Sequence, residues 1–134
     1  MVDEKTKKMI RDGEAILGIE LGSTRIKAIL INSKNEPVAQ GGFDWGNSLI
    51  DGYWTYSLED VFKGLAASFE NLKQDIQKKF GVPLVKVKAM GISAMMHGYL
   101  AFDQDDKLLV PFRTWRNTTT HQAAQELSDL FNYP

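Results

Sequence analysis

The sequence contains no cysteine, which excludes a disulfide framework and a thiolate-held metal. Only two histidines are present, too few to build a zinc site on their own. An excess of one charge is also lacking. Sixteen Lys and Arg against 17 Asp and Glu leave a net charge of −1, so nothing in the balance attracts nucleic acid or an anionic membrane. No apolar stretch is long enough to span a bilayer. Residues 1–13 have no apolar run of the signal-peptide kind, and their acids argue against a transit peptide. Lys5, Lys7, Lys8 and Arg11 mixed with Asp3, Glu4 and Asp12 read as a charged N-terminal tail, either frayed and solvated or a short surface helix. Lack of cysteine fits a reducing cytoplasm, the expected location. Neither a Walker loop, a dinucleotide fingerprint nor a nucleophile elbow occurs, and no pair of carboxylates can be assigned to glycoside hydrolysis.

What is present is an ordinary globular balance: 134 residues, 43% apolar and 25% charged, enough for one core. Ala15–Leu21 reads as a buried strand, followed by a tight turn at Gly22-Ser23-Thr24 and a second strand over Arg25–Ile31. Asn32–Pro37 is a turn signal, and Val38–Phe43 returns as a third strand, with Gly41-Gly42 as a bend or bulge. Asp44–Tyr56, rich in aromatic residues, reads as a loop over the sheet edge. Ser57 then caps a helix whose buried face is predicted as Val61, Phe62, Leu65, Phe69, Leu72 and Ile76, stopped at Phe80–Pro83. Val85–Ser93 is a further strand. Tyr99–Phe102 and Leu108–Val110 form a hairpin around the polar tip Asp103–Lys107, and a last helix begins near Thr119, with Gln122 at capping-box spacing and Ala123, Leu127, Leu130 and Phe131 as its apolar face. A strand reached through a helical crossover adds in parallel, so the sheet is expected to be mixed and the class α/β.

Three segments can carry chemistry. Gly18–Lys27 sets a carboxylate, Glu20, at the end of a buried strand just before a glycine turn. Gly22 lets the backbone approach a phosphate, Ser23 and Thr24 add donors, Lys27 reaches an anion, and Glu20 suits Mg²⁺ through water because magnesium keeps part of its hydration shell. A plain hairpin with one solvated acid has the same signature. Met90–Gly98 ends a strand in Met96, His97 and Gly98, at the carboxyl end where open α/β sheets bind ligands. A structural histidine beside core methionines is the alternative. Thr114–Asn117 combines indole, guanidinium and amide, which suits a polyol, or a Trp buried under a loop.

In this order the segments resemble the FGGY family of carbohydrate kinases, its xylulokinase-like members in particular. Gly18–Lys27 is similar to the family's first phosphate motif, Gly-Ile-Asp-x-Gly-Thr-Ser/Thr-x-x-Lys. Gly91–Gly98 is similar to its Gly-Ile-Ser-x-x-Met-His-Gly segment, and Thr114–Asn117 sits where the family has a Trp-Asn-Asp/Arg-like sugar-site segment. The resemblance covers about residues 16–131. It implies a ribonuclease-H-like fold, shared with actin, hexokinase and Hsp70-type ATPases, of which residues 14–134 are the N-terminal part of an incomplete first domain.

The implied activity is ATP-dependent phosphorylation of a hydroxyl of an open-chain sugar or polyol, with ATP and Mg²⁺ as cofactors. Gly22, Ser23, Thr24 and Lys27 would meet phosphate, Glu20 would meet the metal through water, and Met96, His97, Gly98, Trp115 and Arg116 would shape the sugar site. The catalytic general base is expected beyond Pro134, so the chain alone is expected to be inactive. Expected partners are the sugar or polyol and a second copy in a homodimer, with no nucleic acid and no membrane. Two positions depart from the family: Glu20 stands where Asp is usual, and Arg116-Asn117 where Asn-Asp is commoner. A nonenzymatic ribonuclease-H-like binding module, or a fragment of an actin- or chaperone-like ATPase, is the competing reading, since fold alone does not fix function.

Overall fold

A computed structural model of the chain describes residues 4–133. Of the two alternatives for the charged N-terminal segment, the described residues take the short helix, with one side chain packed inward. Glu4–Asp12 forms helix α1, and Ile10 on it is buried in the core. Gly13 ends the helix at φ +70°. Its N–H returns to Ile10 O at 3.1 Å and that of Glu14 to Met9 O at 3.0 Å, the paired bonds of a glycine-terminated helix.

Strands β1 (Ile16–Leu21), β2 (Arg25–Ile31) and β3 (Pro37–Asp44) form the expected antiparallel meander. In β2 the alternation is plain: Ile26, Ala28 and Leu30 are fully buried, while Arg25 and Lys27 are exposed. Ser57 caps helix α2 (Leu58–Phe80), its side chain accepting from Asp60 N, and Gly81 at φ +67° closes it. After this crossover, β6 (Ala89–Ala94) pairs parallel with β1. The sheet order is β3-β2-β1-β6, mixed as expected.

The buried stripe of α2 agrees with the predicted one at Leu72 and Ile76 and departs from it in the N-terminal half of the helix. It consists of Gly64, Ser68, Leu72 and Ile76, while Phe62 is 67% exposed and Phe69 also faces outward. The cause lies in the sheet. A Cβ on Gly41 of β3 would stand 2.1 Å from Ser68 O and 2.3 Å from Leu72 N. Helix backbone therefore lies directly on strand backbone, and only small residues fit between them. Leu72 and Ile76, each worth roughly 1.5–3 kcal/mol when fully buried, anchor the helix below that contact alongside Leu17, Leu30 and Ala39.

Four further elements differ from expectation. Asp44–Tyr56 is not all loop: β4 (Ser48–Ile50) and β5 (Tyr53–Thr55) form an antiparallel hairpin. Its two-residue turn has Asp51 at φ 49° and Gly52 at φ 80°, the geometry of a type I′ hairpin. Strand β6 begins at Ala89 rather than Val85, which is 82% exposed. The Tyr99–Val110 region makes only isolated bridges, Phe102↔Leu108 and Tyr99↔Arg113, with Asp103 Oδ1 accepting the amides of Asp105 and Lys107 at its tip. Helix α3 (His121–Phe131) is capped at Thr120 without a side-chain bond. Gln122 donates to Glu126 instead of closing a capping box, and Leu127, Leu130 and Phe131 are exposed.

The chain divides into two compact units. One comprises Met1–Asn47 and Tyr56–Met96, the other Ser48–Thr55 and His97–Pro134. The four-stranded sheet, α2 and the main core belong to the first unit. No helix among the described residues is long and apolar enough to cross a membrane.

Candidate functional site

The β1–β2 turn forms the centre of the candidate site. Gly22 N donates to Arg25 O at 3.0 Å, and a Cβ on Gly22 would meet that same oxygen at 2.8 Å. Glycine is thus required for the turn to close this tightly. The carbonyls of the turn face an aromatic pair. Trp45 Nε1 donates to Gly22 O at 2.8 Å, Tyr56 Oη to Ser23 O at 2.5 Å, and Trp45 N to Thr24 O at 3.1 Å. The two rings are stacked, with centroids 4.3 Å apart and planes at 20°. Sequence reasoning placed these aromatics in an irregular loop and gave them no role; four aromatic side chains between Trp45 and Tyr56 were the available signal.

Glu20 and Lys27 are cross-strand partners in the β1–β2 ladder. Lys27 Nζ donates to Glu20 Oε2 at 2.9 Å, with both side chains about half exposed. An exposed pair of this kind adds at most about 1 kcal/mol to stability. Glu20 Oε1 lies on the turn side, 3.6 Å from where a Gly22 Cβ would stand. Among the described residues no group of three or more His, Asp or Glu converges. One half-exposed carboxylate fits a magnesium ion that keeps its waters, and does not fit a direct protein cage. The carboxylate that would hold it is Glu20.

Strand β6 leaves the sheet at the same end as β1. Glu20 is in register with Ser93 and Leu21 with Ala94, and Met95 N donates to Leu21 O at 3.0 Å. Met96 follows, 87% exposed, in a turn with His97. Within the first unit, then, the glycine turn and Met96 lie at one edge of one sheet. His97 and Gly98 continue the chain into the second unit.

Trp115 and Arg116 belong to that second unit. Trp115 is 60% exposed, so it is not the buried indole that was the alternative for this segment. The Arg116 guanidinium lies 3.6 Å over the Trp54 ring, and that of Arg113 lies 3.7 Å over Tyr53. Asn117 has a structural task the sequence did not reveal. Its Oδ1 accepts from Trp54 N at 2.8 Å, and its Nδ2 donates to Trp54 O at 2.7 Å and Thr114 O at 3.0 Å. It thereby pairs with strand β5 as another strand would, and holds the Trp115-Arg116 turn against that strand.

The sequence profile of the FGGY family of carbohydrate kinases, N-terminal domain, matches residues 15–133. The gluconokinase of Bacillus subtilis (strain 168) is 22% identical over 118 residues, which are 87% of this chain and 22% of that protein. Among solved structures, the xyloylose kinase of Brucella ovis superposes with a TM-score of 0.71 at 26% identity, covering 89% of this chain and 24% of that one. The ligand-bound xylulose kinase of Lactobacillus acidophilus gives 0.70 at 20% identity, over 87% and 23%. This chain spans about a quarter of the length of each of these relatives. The mixed sheet with its helices is part of the ribonuclease-H-like fold of the actin and hexokinase type.

Proposed function

This chain belongs to the FGGY family of carbohydrate kinases, and on that footing we propose that it supplies the first phosphate turn and part of the sugar site of an ATP-dependent sugar or polyol kinase. Residues 14–134 would be the N-terminal part of the first kinase domain. The reaction moves the γ-phosphoryl group of ATP to a hydroxyl of an open-chain sugar or polyol. Protein groups contribute to such a transfer chiefly by positioning and by stabilising charge. Gly22 admits a phosphate close to the backbone, and Ser23 and Thr24 offer amide and hydroxyl donors. Magnesium, when bound with ATP, neutralises phosphate charge, and Glu20 would orient it through its waters. Lys27 adds a positive charge beside Glu20. Met96, His97 and Gly98 would line the sugar site, with Trp115 offering an apolar face and Arg116 hydrogen-bond donors. The general base would come from residues outside this chain.

The observation that carries the reading is the shared sheet end. The bond from Met95 N to Leu21 O sets the Gly22 turn and the Met96 strand end side by side, and phosphoryl transfer needs donor and acceptor sites adjacent. The test is ADP release over a panel of ketoses, aldoses, polyols and aldonates. It uses a form that continues past residue 134 to the length of the relatives. At least one sugar or polyol should raise ADP release well above the rate with ATP alone. A flat response across the panel would instead favour a binding module of the same fold.

A further inference from the structure

Three successive carbonyls, those of Gly22, Ser23 and Thr24, are all taken up by Trp45 and Tyr56. This arrangement dictates where the amides go. In a trans peptide the C=O of one residue and the N–H of the next point in opposite directions, and no cis peptide occurs in the described residues. Holding the Gly22 and Ser23 carbonyls toward the aromatic pair therefore turns the amides of Ser23 and Thr24 away from it. The pair is itself fixed. Its rings stack on each other, Tyr56 is 4% exposed, and Asn47 Nδ2 donates to the Tyr56 hydroxyl at 3.4 Å. With that hydroxyl accepting from Asn47, its own proton is directed to Ser23 O. A glycine turn free to rotate its peptide planes would present carbonyl oxygen to an incoming anion in part of its population, and carbonyl oxygen repels phosphate.

We propose that Trp45 and Tyr56 are positioning residues for the phosphates of ATP, locking the Gly22–Thr24 peptides so that the Ser23 and Thr24 amides face the anion. The inference rests on the reading of this turn as a phosphate site. Neither side chain touches the nucleotide; both act through the carbonyls they hold. Preorganised amides cost no reorganisation when the charge arrives, so the effect appears in ATP affinity and not in sugar affinity.

The test is a titration of the uniformly ¹⁵N-labelled 134-residue chain with Mg-ATP, followed at the Ser23 and Thr24 amides, for wild type, Tyr56→Phe and Trp45→Phe. Both variants keep an aromatic ring at the stack and delete one donor. Losing one net hydrogen bond of about 0.5–1.5 kcal/mol corresponds to roughly 2- to 12-fold in affinity, and each variant should raise the Kd by about that factor. Tyr99→Phe, at an exposed position in the other unit, should leave it unchanged. Measurements well below the melting temperature separate positioning from stability, because a merely structural defect lowers that temperature without weakening binding by folded molecules. Wild-type shifts at Ser23 and Thr24 with unchanged affinity in both variants would overturn the proposal while leaving the phosphate turn standing. Absence of those shifts in wild type would overturn it as well. Sugar-stimulated ADP release by the longer form is independent of both outcomes and judges the kinase reading alone.

Discussion

Gly41→Ala should be among the most damaging single-methyl additions in this chain. The methyl carbon would stand 2.1 Å from Ser68 O, 2.3 Å from Leu72 N and 2.9 Å from Asn71 C, all of them backbone atoms of α2. No rotamer change can relieve a clash with helix backbone. Restoring a contact of about 3.5 Å requires the helix to retreat by about 1.4 Å. That retreat opens space around Leu72 and Ile76, which are now fully buried. It also strains the bonds that tie α2 to β3, from Gln40 N to Asp75 Oδ2 at 3.0 Å and from Asn71 Nδ2 to Gly42 O at 2.9 Å. Overpacking alone costs typically about 1–3 kcal/mol, and loosening two core side chains brings the expected loss to about 3 kcal/mol or more. A control is built into the same sheet. A Cβ on Gly91 of β6 meets nothing within 4 Å, so Gly91→Ala should fall within about 0.5 kcal/mol of wild type. Urea unfolding of the chain reads both, with equal slopes and separated midpoints. If Gly41→Ala unfolded within about 0.5 kcal/mol of wild type, α2 would not be seated on β3 as described.

Other expectations concern the site and the acid limb. In the longer form, His97→Ala should impair sugar use by about 1–3 kcal/mol in kcat/KM and leave the KM for ATP unchanged; steady-state kinetics with each substrate varied decides, and unchanged sugar constants would make His97 structural. On the proposed reading the general base comes from residues outside this chain, so the 134-residue chain alone should show no sugar-dependent ADP production, the loss being about 10²–10⁴-fold before lost positioning is added; measurable turnover would contradict this. Burial raises the pKa of Asp75, but the Lys79 hydrogen bond, the Gln40 amide and the charges of Lys79 and Lys78 outweigh it and hold the carboxyl below its ordinary range. A carboxylate depressed in the folded state adds stability above its unfolded pKa, near 3.9, that is lost as pH falls through the lower folded value. Asp75→Asn should therefore flatten that part of the acid limb, and stability–pH curves parallel to wild type would show that Asp75 contributes nothing to it.

The parts of the fold that were legible in the sequence are those where period and caps agree. The strands on either side of the Gly22 turn fall over Ile16–Leu21 and Arg25–Ile31, close to where their apolar runs put them, and Ser57 and Gly81 bound α2 as their types suggest. What stayed hidden depended on small residues and on tertiary partners. Helical periodicity weighs Phe62 and Phe69 heavily and Gly64 and Ser68 hardly at all, yet the close approach at Gly41 selects the small pair for the interface. The β4–β5 hairpin did carry a local signal, Asp51-Gly52 between apolar residues, which the surrounding aromatics obscured. At the site, the Gly22 turn and Glu20 could be picked out from residue type and position. The roles of Trp45 and Tyr56 could not, because they reach Gly22 and Ser23 across 23 and 33 residues of chain. Asn117 likewise finds its partner, Trp54, 63 residues away.

The central claim is that Glu20 and the Gly22–Thr24 turn serve phosphoryl transfer to a sugar. It is tested most directly by Glu20→Ala in the longer form, with ATP turnover measured against magnesium at saturating sugar and sugar affinity by calorimetry. Glu20 Oε1 lies beside the turn, where a carboxylate repels triphosphate unless a cation intervenes. Losing that oriented contact should lower kcat by about 10²-fold, most severely at limiting magnesium, with sugar affinity nearly intact. Glu20→Asp would show in addition whether the extra methylene is matched to this turn. Near-wild-type kcat for Glu20→Ala at limiting magnesium would reduce Glu20 to a hairpin residue paired with Lys27 and contradict the account.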